Sequence, residues 1–450
     1  LGRKTGRGAV GAYQVLSKKF KWLGWLGILS AFLILFFYCA LGGYCIKYVV
    51  LNVGDLFGAG FGSNGLNGAE VFGAFMGNQM EAVIYGLIFV LLTMIIVMGG
   101  IGGGIEKVCS VGMPALFIIL LICIIRACTL PGAVDGLKYM FVPGWAVEHG
   151  VIEKAPSIIT VLSNAGGQMF FSLSLGMGIM ITYGSYTGKE VNLVRSTAMV
   201  CVFDTVVALL AGLAIFPSVA HFDPSLLGSS KGVALMFIIL PQVFESMGSV
   251  GQVVSFAFFV MVDIAAITSV VSLIEVVTQF VIQKFHVHRK RAALVVACVC
   301  FVVSIPIGIS LGHVAILEES SPALFGLDWL TFFDEVTNTV LMPVCALFSC
   351  IVVGWFITPK RAVAEIEAEG THMAGWLKKV YAVMIRFVTP ALILIVEIGG
   401  LQSEIAAGNT AVIVFAYALV ALCVVAYFAF FRNRDTGTNA DEKLSGDYPV

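Results

Sequence analysis

Small and polar residues interrupt one long apolar run of the chain. They are Gln168, Ser172, Ser174, Gly176 and Gly178. Each glycine weakens a helix by roughly 1 kcal/mol relative to alanine, so a helix would be weak at this point. A helix that breaks inside a membrane exposes backbone carbonyls and helix ends, which can bind ions and a substrate. Small residues also let helices pack closely, and the spacing alone leaves both interpretations open.

A carboxylate, Asp204, lies inside another apolar run with no basic residue beside it. In such surroundings a carboxylate is unfavourable unless it is paired, bound to a cation or protonated. The residue therefore predicts a bound cation or a neighbouring polar helix, and a protonated core acid is the alternative.

Two hydroxyls, Thr268 and Ser269, share one helical face with Ala265, at spacings of three and four residues. Together with the Ala265 carbonyl they would supply hard oxygen ligands suited to Na⁺. Serine and threonine also often bond back to their own helix, so the pattern is weak by itself. Asp263 points about 160° away from Ala265 on the same helix and is a separate feature.

A tyrosine, Tyr38, falls near the middle of the first apolar run, with Ile34 one turn earlier on the same face. A tyrosine in this position is usually packed, with its hydroxyl satisfied locally. By themselves, Tyr38 and Ile34 therefore give little indication of a binding site.

These residues need a scaffold of membrane-spanning helices. Of the 450 residues, 59% are hydrophobic and 12% are charged, half of the ~25% that is usual for soluble domains. The formal net charge of −1, with no long basic stretch, excludes a nucleic-acid binder. Ten stretches reach the length of about 20 residues that a bilayer requires, namely 22–50, 82–103, 109–130, 158–186, 194–217, 250–283, 292–314, 336–358, 383–402 and 409–431.

A shorter apolar run, 232–240, predicts a helical piece of a loop that ends at Pro241. Of the 26 Lys and Arg residues, 21 fall on one side of the alternating spans, which predicts that this side is cytoplasmic. Both ends of the chain are then inside, and the expected location is the plasma (inner) membrane. The polar tail 432–450 is expected to be disordered.

Enzymatic motifs are sparse. The chain contains no H-E-x-x-H and no P-loop, and no repeated ring or filter loop suggests a channel. We therefore expect no enzymatic activity.

The order of several motifs resembles the neurotransmitter:sodium symporter family, in particular its bacterial amino-acid transporters. The motifs are Gly2-Arg-Lys-Thr-Gly-Arg-Gly, Gly104-Ile-Glu-Lys107, Met113-Pro114, Leu130-Pro-Gly-Ala133, Phe170–Gly178, Ile181–Tyr186, Ala265–Ser269, Glu275, and Asp334 with Asn338 and Pro343. The resemblance implies an all-α polytopic membrane protein, built as one transporter domain over residues 1–450. It further implies the leucine-transporter-type fold of two inverted five-helix repeats. Leu1 then lies after the family's second helix, so we expect an N-terminally truncated chain of about ten helices.

The resemblance also implies a substrate site. Tyr38 matches the tyrosine whose hydroxyl bonds the substrate carboxylate, and Phe171 matches the aromatic lid. The implied substrate-binding residues are Ile34, Tyr38, Phe171, Ser174, Gly176, Met177, Ser269 and Leu273.

Two sodium sites follow from the same comparison. Ser172 and Asp204 match positions of the first, and Ala265, Thr268 and Ser269 match positions of the second. Since Asp204 stands where an asparagine is common in the family, a fixed carboxylate could replace the chloride that many members bind.

The anion-site and gate positions also follow from the resemblance. Gln168 and Ser172 match anion-site positions, and we expect that chloride is not required. Asp334 matches the acid of the outer gate and Tyr186 an inner-gate tyrosine. Gln283 stands where the family usually has an inner-gate aspartate, and Asp263 has no counterpart.

The implied function is sodium-coupled symport of a small hydrophobic amino acid by alternating access. The expected partners are the amino acid, sodium ions and the lipid bilayer. The alternatives are an amino-acid sensor that does not transport, a sodium-coupled carrier of another small zwitterion or amine, and an inactive truncated product. For the 450-residue chain alone we expect neither binding nor transport.

Overall fold

Long apolar sequences become helices in this protein because a helix satisfies every backbone polar group within its own segment. The computed structural model describes residues 1–16, 18–228, 232–316, 324–367 and 372–431. Within these ranges the chain is almost entirely helical, and the β-structure consists of one isolated bridge between Leu324 and Leu327. The predicted disordered tail, 432–450, lies outside the described residues.

The principal helices are numbered in chain order. They are α1 (Lys21–Phe57), α2 (Gln79–Met98), α3 (Glu106–Cys128), α4 (Ile158–Ser172), α5 (Ile179–Gly184), α6 (Leu193–Phe222), α7 (Ser249–Phe285), α8 (Arg289–Ile316), α9 (Trp329–Ile357), α10 (Gly375–Ala406) and α11 (Thr410–Ala426). Shorter helices lie before α1, at Gly2–Thr5 and Ala9–Leu16, and in the connections, at Gly68–Gly77, Ala133–Phe141, Trp145–Glu148 and Pro359–Ile366.

Nine helices of the described chain are long and apolar enough to cross a membrane. The predicted span 158–186 is not one of them, because it is divided into α4 and α5. Counted as one interrupted crossing, it brings the number to the ten that were predicted. The Tyr427 hydroxyl donates to the Lys18 carbonyl over 2.6 Å, so the two ends of the bundle lie on the same side, as an even number of crossings requires.

Polar side chains fix where several of these helices begin. Ser157, Asn192 and Asp328 each accept a hydrogen bond from the backbone N–H three residues later, at the starts of α4, α6 and α9. Such caps satisfy N–H groups that have no partner within the helix.

The predicted loop helix is present, but its predicted end is wrong. Helical structure runs from Gly232 through a π-helical turn, Leu235–Ile239, to Ser246. Pro241 stands in the first turn of the last piece, where its missing N–H is tolerated. The proline therefore continues this helix rather than ending it.

The core of the bundle is α1, which is largely buried along its length and packs against α2, α7 and α8. Small residues permit these close approaches: a Cβ at Gly43 of α1 would collide with the backbone of Gly86 in α2. In contrast, α6 and α10 are mostly exposed and form part of the outer surface. The candidate site lies where α1, α7 and the α4–α5 interruption meet.

Candidate functional site

The interruption between α4 and α5 is a defined backbone structure. Ser174 has φ +55°, and Gly176 and Gly178 have φ +78° and +76°. These values favour glycine, and a Cβ at Gly176 would also collide with the Met342 carbonyl oxygen of α9. The glycines thus produce the break that their positions predicted.

Three of the predicted substrate residues meet beside this break. The rings of Tyr38 on α1 and Phe171 on α4 have centroids 6.1 Å apart, at 30° to each other. The Tyr38 side chain also lies beside that of Ser269 on α7. The structure therefore brings together one residue from each of the three elements.

The predicted apolar lining is buried in the same core. Ile34, Met177 and Leu273 are almost completely buried and belong to one hydrophobic cluster. Ser174 and Gly176 instead line an apolar cavity of about 270 Å³, together with residues such as Ala9 and Leu23. The predicted substrate residues thus fall into a buried group and a cavity-lining group.

A second cavity lies on the other side of the interruption. It has a volume of about 350 Å³ and contains Gln168, Phe171, Asp334, Glu335 and Glu404 among its lining residues. No Lys, Arg or His is among the described residues that line it. We call it the polar cavity, and its charge favours cationic groups.

The first predicted sodium position is assembled from α4 and α6. The Ser172 hydroxyl donates to Asp204 Oδ1, so the partner of this carboxylate is a hydroxyl on a neighbouring helix. Ser172 is exposed and Asp204 half-buried. Gln168, one turn before Ser172, is exposed toward the polar cavity.

At the second predicted sodium position, the Thr268 hydroxyl donates to the Ala265 carbonyl over 3.0 Å. This is the bond to its own helix that the sequence left open as an alternative. It places two oxygens side by side, next to the exposed Ser269. A cation bound here would be coordinated by both oxygens, with the Thr268 hydroxyl proton turned away from the Ala265 carbonyl.

The two predicted gate residues have very different surroundings. Asp334 accepts a hydrogen bond from Asn338 Nδ2 over 2.6 Å and faces the polar cavity. The Tyr186 hydroxyl donates to Glu275 Oε1 over 2.7 Å. Glu275 is completely buried and also forms an ion pair with Arg289, through both carboxylate oxygens.

The Glu275–Arg289 pair is a feature that sequence reasoning missed. Arg289 Nε additionally donates to the Val97 carbonyl over 2.9 Å, so the pair fastens α7 and α8 to the end of α2. A glutamate inside an apolar span, followed by a basic turn, was the available signal.

Two residues without a clear family role also have defined positions. Gln283 Oε1 accepts a hydrogen bond from the backbone N–H of Gly8 over 3.3 Å. Asp263 lies near Cys45 of α1, and its buried Oδ1 has no hydrogen-bond partner in the part of the chain that the structure describes.

Comparison with known proteins supplies the family. A family model described as the sodium:neurotransmitter symporter family matches residues 74–432. The chain is 32% identical over 399 residues to the uncharacterized sodium-dependent transporter YhdH of Bacillus subtilis, covering 88% of this chain and 83% of that protein. It is 31% identical over 391 residues to an uncharacterized sodium-dependent transporter of Haemophilus influenzae, covering 86% and 80%.

A solved structure agrees with the sequence comparisons. The crystal structure of MhsT in complex with L-phenylalanine superposes with a TM-score of 0.75 at 32% identity, covering 89% of this chain and 86% of that chain. The predicted family and the predicted fold class are confirmed. This chain belongs to the sodium:neurotransmitter symporter family, whose members include sodium-dependent transporters.

Proposed function

We propose that the protein couples the inward movement of Na⁺ to the uptake of a hydrophobic amino acid. The observation that carries this proposal is the meeting of Tyr38, Phe171 and Ser269 beside a broken helix. Tyr38 would offer its hydroxyl to the substrate carboxylate, Phe171 would cover the substrate with its ring, and Ser269 would bind sodium. The phenylalanine bound to MhsT, a protein of similar fold, supports the same substrate class.

The apolar character of the lining supports a hydrophobic side chain on the substrate. Ile34, Met177 and Leu273 offer no hydrogen bond to a polar one. Methionine is flexible and polarizable, so Met177 would adapt to side chains of several sizes. Ser174 and Gly176, which line the apolar cavity, would contribute backbone groups from the interruption to the substrate.

Two sodium positions would supply the driving force. We assign Ser172 and Asp204 to the first, and Ala265, Thr268 and Ser269 to the second. Each Na⁺ that enters gains roughly 2.3 kcal/mol per 100 mV of membrane potential, before any concentration gradient is counted. Because Ser269 of the second position lies beside Tyr38, occupation of this position would couple the ion to the substrate site.

The charge at the first position would also make chloride unnecessary. Asp204 is a fixed carboxylate that pairs with the Ser172 hydroxyl. With Gln168 and Ser172 at the anion positions, the carboxylate replaces the negative charge of an anion. Asp334 and Tyr186 would control access to the site from opposite ends.

Counterflow in proteoliposomes tests the transport itself. Proteoliposomes that contain the protein encoded by the native gene are loaded with unlabelled phenylalanine. They are then exposed to labelled phenylalanine in Na⁺ or K⁺ medium. We expect exchange only with Na⁺. Saturable binding without exchange would identify a sensor instead, and exchange of an amine but of no amino acid would identify the other carrier class.

A paired substitution tests the substrate site. Tyr38→Phe removes only a hydroxyl, and hydrogen bonds to charged groups contribute about 1.5–3 kcal/mol, so we expect roughly a tenfold or greater loss of phenylalanine affinity. The control is Tyr44→Phe on the same helix, whose hydroxyl bonds the Gly308 carbonyl over 2.5 Å. Equal affinities in the two variants would contradict the assigned role of Tyr38.

A further inference from the structure

A third cavity lies away from the candidate site, at the end of the bundle that the charge distribution predicts to be outside. Its volume is about 380 Å³. It is enclosed by the last turns of α1, the glycine-rich loop 58–68, the short helix Leu240–Ser246 and the first turns of α7. We call it the loop cavity.

The side chains that line the loop cavity carry negative charge and oxygen atoms. Asp55 and Glu245 supply carboxylates, and Asn52, Gln252 and Ser255 supply amide and hydroxyl oxygens. No Lys, Arg or His occurs among its described lining residues. The two carboxylates therefore lack a cationic partner within the cavity.

Two of these polar side chains are deeply buried, yet have oxygens without a protein donor. Ser255 is 7% exposed and its hydroxyl makes no hydrogen bond within the described chain. Asn52 also lines the cavity and is 7% exposed, and its Nδ2 donates to the Tyr48 carbonyl over 2.7 Å, whereas its Oδ1 accepts no hydrogen bond within the described chain. Buried polar groups nearly always have a partner, which for these oxygens must be water or a ligand in the cavity.

The loop is held in place by a carboxylate that keeps one oxygen for another partner. Asp55 Oδ1 accepts hydrogen bonds from the backbone N–H and the hydroxyl of Ser63, over 2.7 and 2.9 Å. A Cβ at Gly62 would collide with Asp55, and one at Gly54 would collide with Gly62. The two glycines thus let the loop close tightly against α1.

We propose that the loop cavity binds a hard divalent cation of the Ca²⁺ class. Ca²⁺ takes six to eight oxygen ligands from carboxylates, amide carbonyls and water. Asp55, Glu245, Asn52 and Ser255 provide such oxygens from three separate elements. The cavity is larger than a bare ion, so water completes the coordination. The bound ion would fasten the loop after α1 and the short helix to the start of α7.

Terbium luminescence tests this site directly. Tb³⁺ prefers the same oxygen ligands as Ca²⁺, and Tyr48, which lines the cavity, would sensitise its emission. The purified protein in nanodiscs is titrated with TbCl₃ in ~0.15 M NaCl, so that sodium positions are occupied by Na⁺. We expect saturable emission that CaCl₂ displaces, and at least a roughly tenfold weaker apparent Ca²⁺ affinity for Glu245→Gln.

Matched variants make the result decisive. Glu148→Gln changes an exposed glutamate outside the cavity and should leave the Ca²⁺ affinity unchanged. Asp55→Asn keeps an acceptor for Ser63 and should weaken binding as Glu245→Gln does. Size-exclusion profiles and thermal melting without Ca²⁺ verify that each variant is folded, and Ser255→Ala replaces any that is not.

Several results would overturn the proposal. Emission that Ca²⁺ does not displace, or an affinity that neither Asp55→Asn nor Glu245→Gln changes, would show that the cavity is not the site. Displacement by methylammonium but not by Ca²⁺ would show an organic cation site instead. Because the readout is ion binding, failure here leaves the proposed transport function untouched.

Discussion

Two carboxylates at opposite ends of the bundle show how differently one chemical group is used. Glu275 is completely buried, and both of its oxygens are engaged, by Tyr186 and by Arg289. Asp334 has a hydrogen bond from Asn338 and borders the polar cavity. A carboxylate whose oxygens are all engaged fastens helices together, whereas one with free acceptor capacity beside a cavity is available to a ligand or a moving gate.

Replacing each carboxylate separately by alanine should give the largest difference, measured as the free energy of unfolding. Glu275→Ala leaves Arg289 without its partner, and breaking a buried pair costs about 3–5 kcal/mol. We expect the lower end, because 24% of the Arg289 side chain is exposed. Asp334→Ala should change the free energy of unfolding by less than about 1 kcal/mol. Chemical unfolding in detergent measures both variants. Equal losses of unfolding free energy would contradict the different roles of the two carboxylates.

The interrupted helix lies between these two ends, and its geometry can be tested at one glycine. Gly176→Ala places a Cβ against the Met342 carbonyl at a positive φ, so we expect a loss of about 2 kcal/mol of unfolding free energy. The matched variant is Gly167→Ala in α4, where a Cβ would meet open space and should be tolerated or stabilising by up to about 1 kcal/mol. Similar melting temperatures for the two variants would contradict this account.

The hydroxyls of Thr268 and Ser269 on α7 allow a finer test, because the Thr268 hydroxyl bonds a carbonyl of its own helix and the Ser269 side chain lies beside Tyr38. The double variant Thr268→Ala, Ser269→Ala should raise the Na⁺ concentration for half-maximal uptake by roughly tenfold. Thr93→Ala is the control, since that hydroxyl also bonds a carbonyl of its own helix, at Phe89, but lies outside the site. If the double variant kept native sodium dependence, the second sodium position would be wrong.

Asp204 is the intermediate case, with one bond from Ser172 and partial exposure. We expect the smallest effect here. Because the Asp204 carboxylate supplies the negative charge of an anion, replacing chloride by gluconate should change native uptake by less than about twofold. Asp204→Asn removes the fixed charge and should make uptake depend on chloride. Chloride dependence of the native protein would refute the assignment of this carboxylate.

Local patterns predicted much of this structure, and the errors have physical causes. The positive-φ glycines and the spacing of Thr268 from Ala265 are properties of neighbouring residues, so the sequence reveals them. The partners of Asp204 and Glu275 come from other helices, and tertiary packing chooses them. Pro241 was misjudged because a π-helical turn before it makes it the start of a new α-helical piece.

Helix length was also underestimated at the first span. The apolar run ends at Val50, but α1 continues to Phe57, because a helix beyond the membrane needs only its backbone hydrogen bonds. The same extension carries Asn52 and Asp55 to the loop cavity, which no sequence pattern had indicated.

The contact between Tyr427 and the Lys18 carbonyl has a practical consequence. It places the last described turns next to the segment that precedes α1, so a donor and an acceptor dye attached near these two positions would begin within energy-transfer range. A change in transfer efficiency on adding substrate and salt would then report, in real time, whether α11 moves relative to α1.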